Sequence, residues 1–365
     1  MGPHGPRAVF RRRDRIVRDD NGVGVTVGRL DHGSKARWDA FVHACPQATF
    51  FHRAGWKTVI ESAFRHDCHF LYAERGGAIC GVLPLVHVRS ALFGNSLIST
   101  GFTVGGGPAV SDPEARAALD GEALSIADLL DVDYVEYRSP APHGPGWATN
   151  EGLYVGFRKT IGPDPEKDML AIPRKQRAMV RKGIKAGLRS EIDDDVGRLH
   201  PIYAESVRNL GTPVFARRYF AALREEFARD LDIVTVLHGS KPVASVMNFY
   251  FRDQVLPYFG GGTHAARDLA ANDFMYWEVM RRAVERGCRL FDFGRSKRGT
   301  GPYSFKKNWG FEPEPLVYGY RLRKLASVPE VNPLNPKYRL FIAAWKRLPL
   351  PVANLVGPCI VRNLG

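Results

Sequence analysis

The chain is 365 residues long, carries 52 Lys and Arg against 38 Asp and Glu, and has a formal charge of +14 at neutral pH. Apolar residues at 44% and aromatics at 11% are globular values, which excludes wholesale disorder and suits two domains or one duplicated unit with tails. The positive balance implies an anionic partner, whether nucleic acid, a phosphorylated substrate or an acidic membrane face, and does not choose among them.

The first 21 residues, "MGPHGPRAVFRRRDRIVRDDN", are basic and lack an apolar run of signal-peptide length. They are expected to be disordered, and the chain is expected to be cytoplasmic. From residue 22 periodic segments begin. Residues 69–88, "HFLYAERGGAICGVLPLVHV", read as two strands joined at Arg75-Gly76-Gly77. A glycine patch "TVGGGPAV", a helix around "EARAALDGEALSIADLL" and a strand "VDYVEYRSP" follow. Residues 231–296 repeat that order. There "LDIVTVLHGSKPVASVMNFYF" is strand, turn and strand, "YFGGGT" supplies the glycines, "NDFMYWEVMRRAVERG" a helix, and "RLFDFGRS" another acidic strand ending in Arg-Ser. A matched series at an offset of about 155 residues is the mark of duplication. Interleaved strands, hairpins and helices make each copy mixed α/β. The Pro-rich stretch 139–152 separates them, and "LYVGFRKTI" after it reads as one more strand of the first copy. In the second helix Asn272 or Asp273 is the expected N-cap, with Gly287 at its end.

Between the copies, "PRKQRAMVRKGIKAGLR" (173–189) holds seven Lys or Arg and no acid. Pro173 can open a helix, on which Val180, Ile184 and Leu188 form the packing stripe beside a cationic row of Arg177, Arg181 and Lys185. Like charges four apart repel, so the row calls for a phosphate, pyrophosphate or RNA backbone as counter-ion.

Residues 291–313, "FDFGRSKRGTGPYSFKKNWGFEP", end a strand in glycine, cations, aromatics and proline. Strand alternation sets Asp292 opposite Phe291 and Phe293. The "RGTGPYS" segment reads as a loop and matches neither the P-loop spacing nor GxGxxG. Phe305, Trp309 and Phe311 can anchor it, holding one of Lys306 and Lys307 at the strand end and leaving the other in solvent. A desolvated lysine there suits a developing oxyanion or a phosphate. Five cysteines without a CxxC pair fit neither a disulfide framework nor a zinc ribbon. His66, Asp67, Cys68 and His69 have no metal-ligand spacing, so no metal is expected.

The segments "IPRKQRAMVRKGIKAGL", "KPVASVMNFYF", "YFGGGT" and "FDFGRSKRGTGPYSFKKNWGFEP" together resemble the FemAB-like proteins, most closely the branch found with exopolysaccharide and PEP-CTERM/exosortase systems. The likeness covers about residues 25–325 and the tail. It implies an α/β fold of tandem GNAT-like lobes, here 22–160 and 161–325, followed by an amphipathic C-terminal tail, 326–365. It also implies acyl or aminoacyl transfer to an amine, without a covalent enzyme intermediate, in cell-envelope or exopolysaccharide synthesis. By motif, Lys306 falls on the lysine assigned to the reacting carbonyl and Arg177 or Arg181 on the basic residue that binds substrate phosphate. Asp292 is the expected proton acceptor or relay. Asn248, Tyr258, Arg295, Ser296 and Tyr303, in the same motifs, are further substrate-binding candidates. The donor is acyl-CoA or aminoacyl-tRNA. The usual GNAT pyrophosphate loop has no match in "GGGTHAARDLAAN", and no coiled-coil arm for tRNA is present. The expected acceptor is a phosphate-bearing or lipid-linked saccharide or peptide. Two other functions stay open, an acyl-CoA-dependent N-acetyltransferase of an amino sugar and a non-catalytic module binding an anionic polymer. The tail mixes apolar runs, Lys and Arg with prolines, and either packs back on the lobes or lies at the cytoplasmic face of the inner membrane.

Overall fold

A computed structural model describes residues 24–90, 93–139, 144–329 and 336–365; the expected disordered segment 1–21 lies outside them. The first half runs β1 (Thr26–Arg29), α1 (Lys35–Ala44), α2 (Gly55–Phe64), β2 (Asp67–Arg75), β3 (Ala78–Ser90), β4 (Gly94–Ser99), β5 (Ala109–Val110), α3 (Pro113–Leu129), β6 (Tyr134–Tyr137) and β7 (Ala148–Asn150). The second runs β8 (Tyr154–Thr160), α4 (Pro165–Ala171), α5 (Arg174–Lys185), β9 (Leu188–Ile192), α6 (Leu199–Leu210), α7 (Arg217–Glu226), β10 (Leu231–His238), β11 (Lys241–Phe251) and β12 (Gln254–Gly262). It continues through α8 (His264–Asp268), α9 (Ala271–Glu285), β13 (Leu290–Asp292), β14 (Ser296–Lys297), α10 (Gly301–Asn308), β15 (Pro313–Pro315), β16 (Tyr318–Leu322), α11 (Pro336–Arg347) and α12 (Leu350–Val361).

Local chemistry explains the punctuation. Gly76 and Gly77 both take positive φ, 56° and 82°, the two-residue turn that matches strand twist between β2 and β3. Asp112 caps α3 by accepting from Ala115 N at 2.9 Å, and Pro113 opens the helix. The cap expected for α9 is different. The helix starts at Ala271 after Ala270 at φ 54°, and Asp273 lies inside the first turn with its carboxylate turned to Gln176 and Trp309.

The strands form two sheets, one ordered β1-β2-β3-β4-β6-β16-β7 and one ordered β14-β8-β13-β12-β11-β10-β9, with β5 and β15 alongside. Each contains three antiparallel strands, then a helix, then a strand returning parallel, β4 beside β6 and β12 beside β13. The duplication is therefore structural: two GNAT-like lobes in a mixed α/β fold.

The sheets do not divide at residue 160. β8, expected as a last strand of the first lobe, pairs with β13 and β14 in the second sheet. β16, from the expected second lobe, pairs with β6 in the first. Each sheet is thus completed beside its returning strand by an antiparallel strand from outside the repeat. The largest core lies between the lobes. Phe50 stacks on Phe249 with ring centroids 4.6 Å apart, and Trp56 lies 5.4 Å from Phe227. Second cores fill the far faces, under α3 in the first lobe and under α5 and α9 in the second.

Candidate active site

β12 and β13 pair only through Gln254–Leu290 and Val255–Phe291, after which the two strands part. β13 turns to follow β8, with Phe293 N donating to Phe157 O at 2.8 Å. Gly294 makes the bend at φ 66°, a conformation that costs an L side chain about 1 kcal/mol or more. Asp292, buried, fixes the bend. One carboxylate oxygen accepts from Gly294 N at 2.8 Å and the other from Arg158 Nε at 2.9 Å.

Lys306 comes to this bend from α10. The segment expected to be a loop is helical from Gly301 to Asn308, with Pro302 tolerated in its first turn. Lys306 Nζ donates to Arg295 O at 3.0 Å and Gly294 O at 3.3 Å, and lies 5.5 Å and 5.7 Å from the Phe293 and Phe157 ring centroids. Burial pulls its pKa down to about 7; Arg295 lowers it further, while Asp292 opposes the shift. Lys307 is exposed. Tyr303, one turn earlier on α10, sets its ring edge-on to Phe157 at 5.6 Å.

The terminal Arg-Ser of each repeat converges here. Arg138, at the end of β6, and Arg295, after β13, lie on one tyrosine, 5.8 Å and 5.9 Å from the Tyr318 ring centroid. Arg138 is buried and ion-paired to buried Glu136 at 2.7 Å. Arg295 has a different setting. It donates to Tyr318 Oη at 2.5 Å and lies 4.5 Å from the Tyr154 ring. Lys297 is 5.2 Å from that same ring, with its pKa brought down to about 8 by burial and by Arg295. Tyr258, on the stretch of β12 that has left β13, is pushed well up by burial and feels both arginines. The buried Ser296 hydroxyl has no partner among the described residues. The aromatic and hydroxyl partners of Arg295 leave its cationic charge in place, so this junction of the lobes is disposed toward an anion.

The basic helix adjoins it through Asp273. That carboxylate accepts from Trp309 Nε1 at 2.9 Å, three residues beyond Lys306, and from Gln176 in the first turn of α5. The packing face of α5 differs from the expected stripe. Gln176, Val180 and Gly183 are buried, Ile184 is 50% exposed, and Leu188 belongs to β9. Arg181 and Lys185 are exposed, whereas Arg177 is half-buried and donates to Leu170 O at 3.0 Å.

Other candidates lie elsewhere. Asn248 is fully buried, donates to Asp232 Oδ1 at 2.7 Å and shares that carboxylate with Tyr250 and Arg286. The second glycine patch serves packing. A Cβ on Gly261 would lie 2.6 Å from Ser206 of α6, and one on Gly262 would lie 2.7 Å from Ala266 of α8. His66 bonds to Arg362 O at 2.6 Å and stacks on Phe102. Sequence reasoning missed Arg138, Tyr154, Lys297 and Tyr318 as neighbours of the site. The repeated Arg-Ser could have pointed to Arg138; nothing in the sequence pairs Tyr318 with it.

Two parallel-returning lobes in tandem define the chain as a tandem GNAT fold, and comparison with known proteins agrees. Residues 174–307, a span that holds every candidate site residue named from the sequence, match the family model described as acetyltransferase (GNAT) domain. No curated protein matches the chain. Among solved structures the chain is similar to FemX, with a TM-score of 0.65 and 15% identity over 87% of this chain and 99% of that one. It is similar to the C-terminal domain of a candidate lysylphosphatidylglycerol synthetase from Agrobacterium fabrum, with a TM-score of 0.56 and 14% identity over 80% and 92% of the two chains. A tandem GNAT protein from the clavulanic acid biosynthesis pathway gives a TM-score of 0.53 and 12% identity over 84% and 100%.

Proposed function

We propose that the protein is an acyl- or aminoacyltransferase that passes its acyl group directly to an amine in the junction between the lobes. The observation that carries this reading is Lys306, a desolvated lysine held at the point where β12 and β13 part, within a segment that matches a GNAT acetyltransferase domain. The amine nitrogen attacks the donor carbonyl carbon, and the C=O electron pair moves to oxygen. The Lys306 ammonium donates to that oxyanion in a setting of low polarity, where such a bond is strong. Collapse breaks the thioester or ester bond to the donor, and the proton shed by the amine ends on the departing sulfur or oxygen. No cysteine or serine need be acylated.

In this reading Asp292 is a positioning residue rather than the proton acceptor, because both its oxygens are engaged in holding the bend that receives Lys306. Arg295 and Lys297, with Tyr258, Ser296 and Tyr303 around them, bind the anionic part of a substrate, and Arg177 and Arg181 guide its phosphate from α5. Placement in cell-envelope or exopolysaccharide synthesis, of the kind associated with exosortase systems, belongs to the proposal and rests on the motif resemblance. So does a phosphate-bearing or lipid-linked saccharide or peptide as acceptor.

Acyl-CoA and aminoacyl-tRNA present the same carbonyl chemistry, and thermal stabilisation separates them. The true donor at 100 times its Kd should add about 2.7 kcal/mol of apparent stability while the other leaves Tm unchanged. No shift with either donor, in a folded protein, would contradict the transferase reading.

A further inference from the structure

The tail both packs back on the lobes and leaves an apolar face outward. α12 lays Ala353, Gly357 and Val361 inward, four residues apart, against α6. Gly357 lets it approach to where a Cβ would stand 3.0 Å from Val214 N. α11 buries Trp345, and its Ile342 meets Gly211 at the end of α6. Arg362 O bonds to His66, and Gly365 O accepts from Arg138 at 3.2 Å, so the tail reaches the first lobe at an arginine of the inter-lobe junction.

On the side of α12 opposite this seam, Val352, Leu355 and Val356 are 42%, 77% and 40% exposed, and Leu340 on α11 is 83% exposed. Such a helix, apolar on both faces with one face covered, wants a second apolar environment. Charge indicates which. Residues 331–365 contain five Lys or Arg and no Asp or Glu. Arg347 is exposed in the last turn of α11, two turns along the same face from Leu340, while Lys346 lays its stem on Gly211. No described helix is long and apolar enough to cross a bilayer. Short helices with exposed leucines, flanking cations and no acids are suited to lying in an anionic lipid interface, apolar side chains among the acyl chains and cations at the headgroups.

We propose that α11 and α12 form a docking surface for an anionic lipid bilayer, with Leu340, Val352, Leu355 and Val356 inserted and Arg347 on lipid phosphates. Through Arg362 and Gly365 this surface is tied to the inter-lobe junction, which places that junction near the membrane plane. The inference stands whether or not the protein is a transferase, because its test reads binding alone.

The test is co-sedimentation of the full chain with vesicles of phosphatidylcholine containing 30% phosphatidylglycerol, and with phosphatidylcholine alone. Binding to the anionic vesicles, at least tenfold weaker to the neutral ones and weakened by salt, is expected. Leu355→Glu, at a side chain already in solvent, should reduce it at least tenfold with Tm unchanged, and Arg347→Glu should weaken it with Tm unchanged. Three results would overturn the proposal. Wild-type protein that binds neither vesicle removes it. Leu355→Glu protein that binds as wild type, while Lys182→Glu does not, moves the contact to α5. A concentration-dependent dimer abolished by Leu355→Glu, without lipid binding, makes the face a contact between copies.

Discussion

At residue scale the two adjacent lysines show how much one helical step decides. Lys306 points back to the bend at Gly294 and is desolvated, while Lys307 is in water. The pH dependence of stability should carry the trace. Lys306 gives up its proton near 7 in the folded protein, against 10.5 ordinarily. The unfolded chain binds the extra proton between those values, so this group makes stability rise with pH from about 7 to about 10.5, and its full cost is present below 7. Lys306→Met, which removes the buried charge and keeps the stem, should therefore raise Tm at pH 6 and raise it less at pH 9.5. Thermal denaturation at both values checks this; a lower Tm at pH 6 would mean that the ammonium stabilises the fold. The aromatics flanking "KK" make one held lysine legible in the sequence, and the motif resemblance, not the residue pattern, singles out Lys306. The physical reason lies in α10, where "RGTGP" opens a helix with a proline as readily as it would form a loop.

At the scale of elements, α5 is the helix its sequence predicts but packs through a different face. Periodicity counts apolar side chains, but the contact with α9 runs through a missing one. A Cβ on Gly183 would lie 2.8 Å from that of Phe274, so Gly183 faces the core and Ile184 is turned outward. The cationic row survives this rotation, with Arg181 in solvent. Arg181→Ala should raise KM for a phosphate-bearing substrate about tenfold, as expected for one lost charge-assisted contact of about 1.5 kcal/mol, with kcat unaltered. An unchanged KM would make the row an ordinary solvated face. The joint between α5, α9 and α10 is Asp273. Asp273→Ala leaves the buried amide of Gln176 and the indole N–H of Trp309 without their acceptor. At about 1–3 kcal/mol for each unsatisfied group, it should cost about 2–6 kcal/mol in a denaturant melt. Asp273→Asn, which keeps an acceptor oxygen, should cost much less.

At the scale of the molecule, the duplication was legible because hairpin, helix and acidic strand recur in order, each from local chemistry. The exchange of β8 and β16 is not, since both sit at the edges of the repeats and take their partners from far along the chain. The same long-range pairing brings Tyr318 to Arg138 and Arg295 and so completes a site whose parts are about 160 residues apart in the sequence. The shared core of Phe50, Trp56, Phe227 and Phe249 packs the two lobes against each other beside the junction. The central claim, direct transfer assisted by Lys306, is tested most directly with a donor labelled in its acyl group and an amine acceptor. Wild type, Lys306→Ala and Lys307→Ala are assayed together for labelled amide and for label retained on the protein. The account predicts labelled amide from wild type and no acylated protein. It predicts kcat lower by about a hundredfold or more in Lys306→Ala, as for loss of an oxyanion donor, and nearly unchanged in Lys307→Ala. A covalently labelled protein that chases into product, or equal small losses at both lysines, would contradict it.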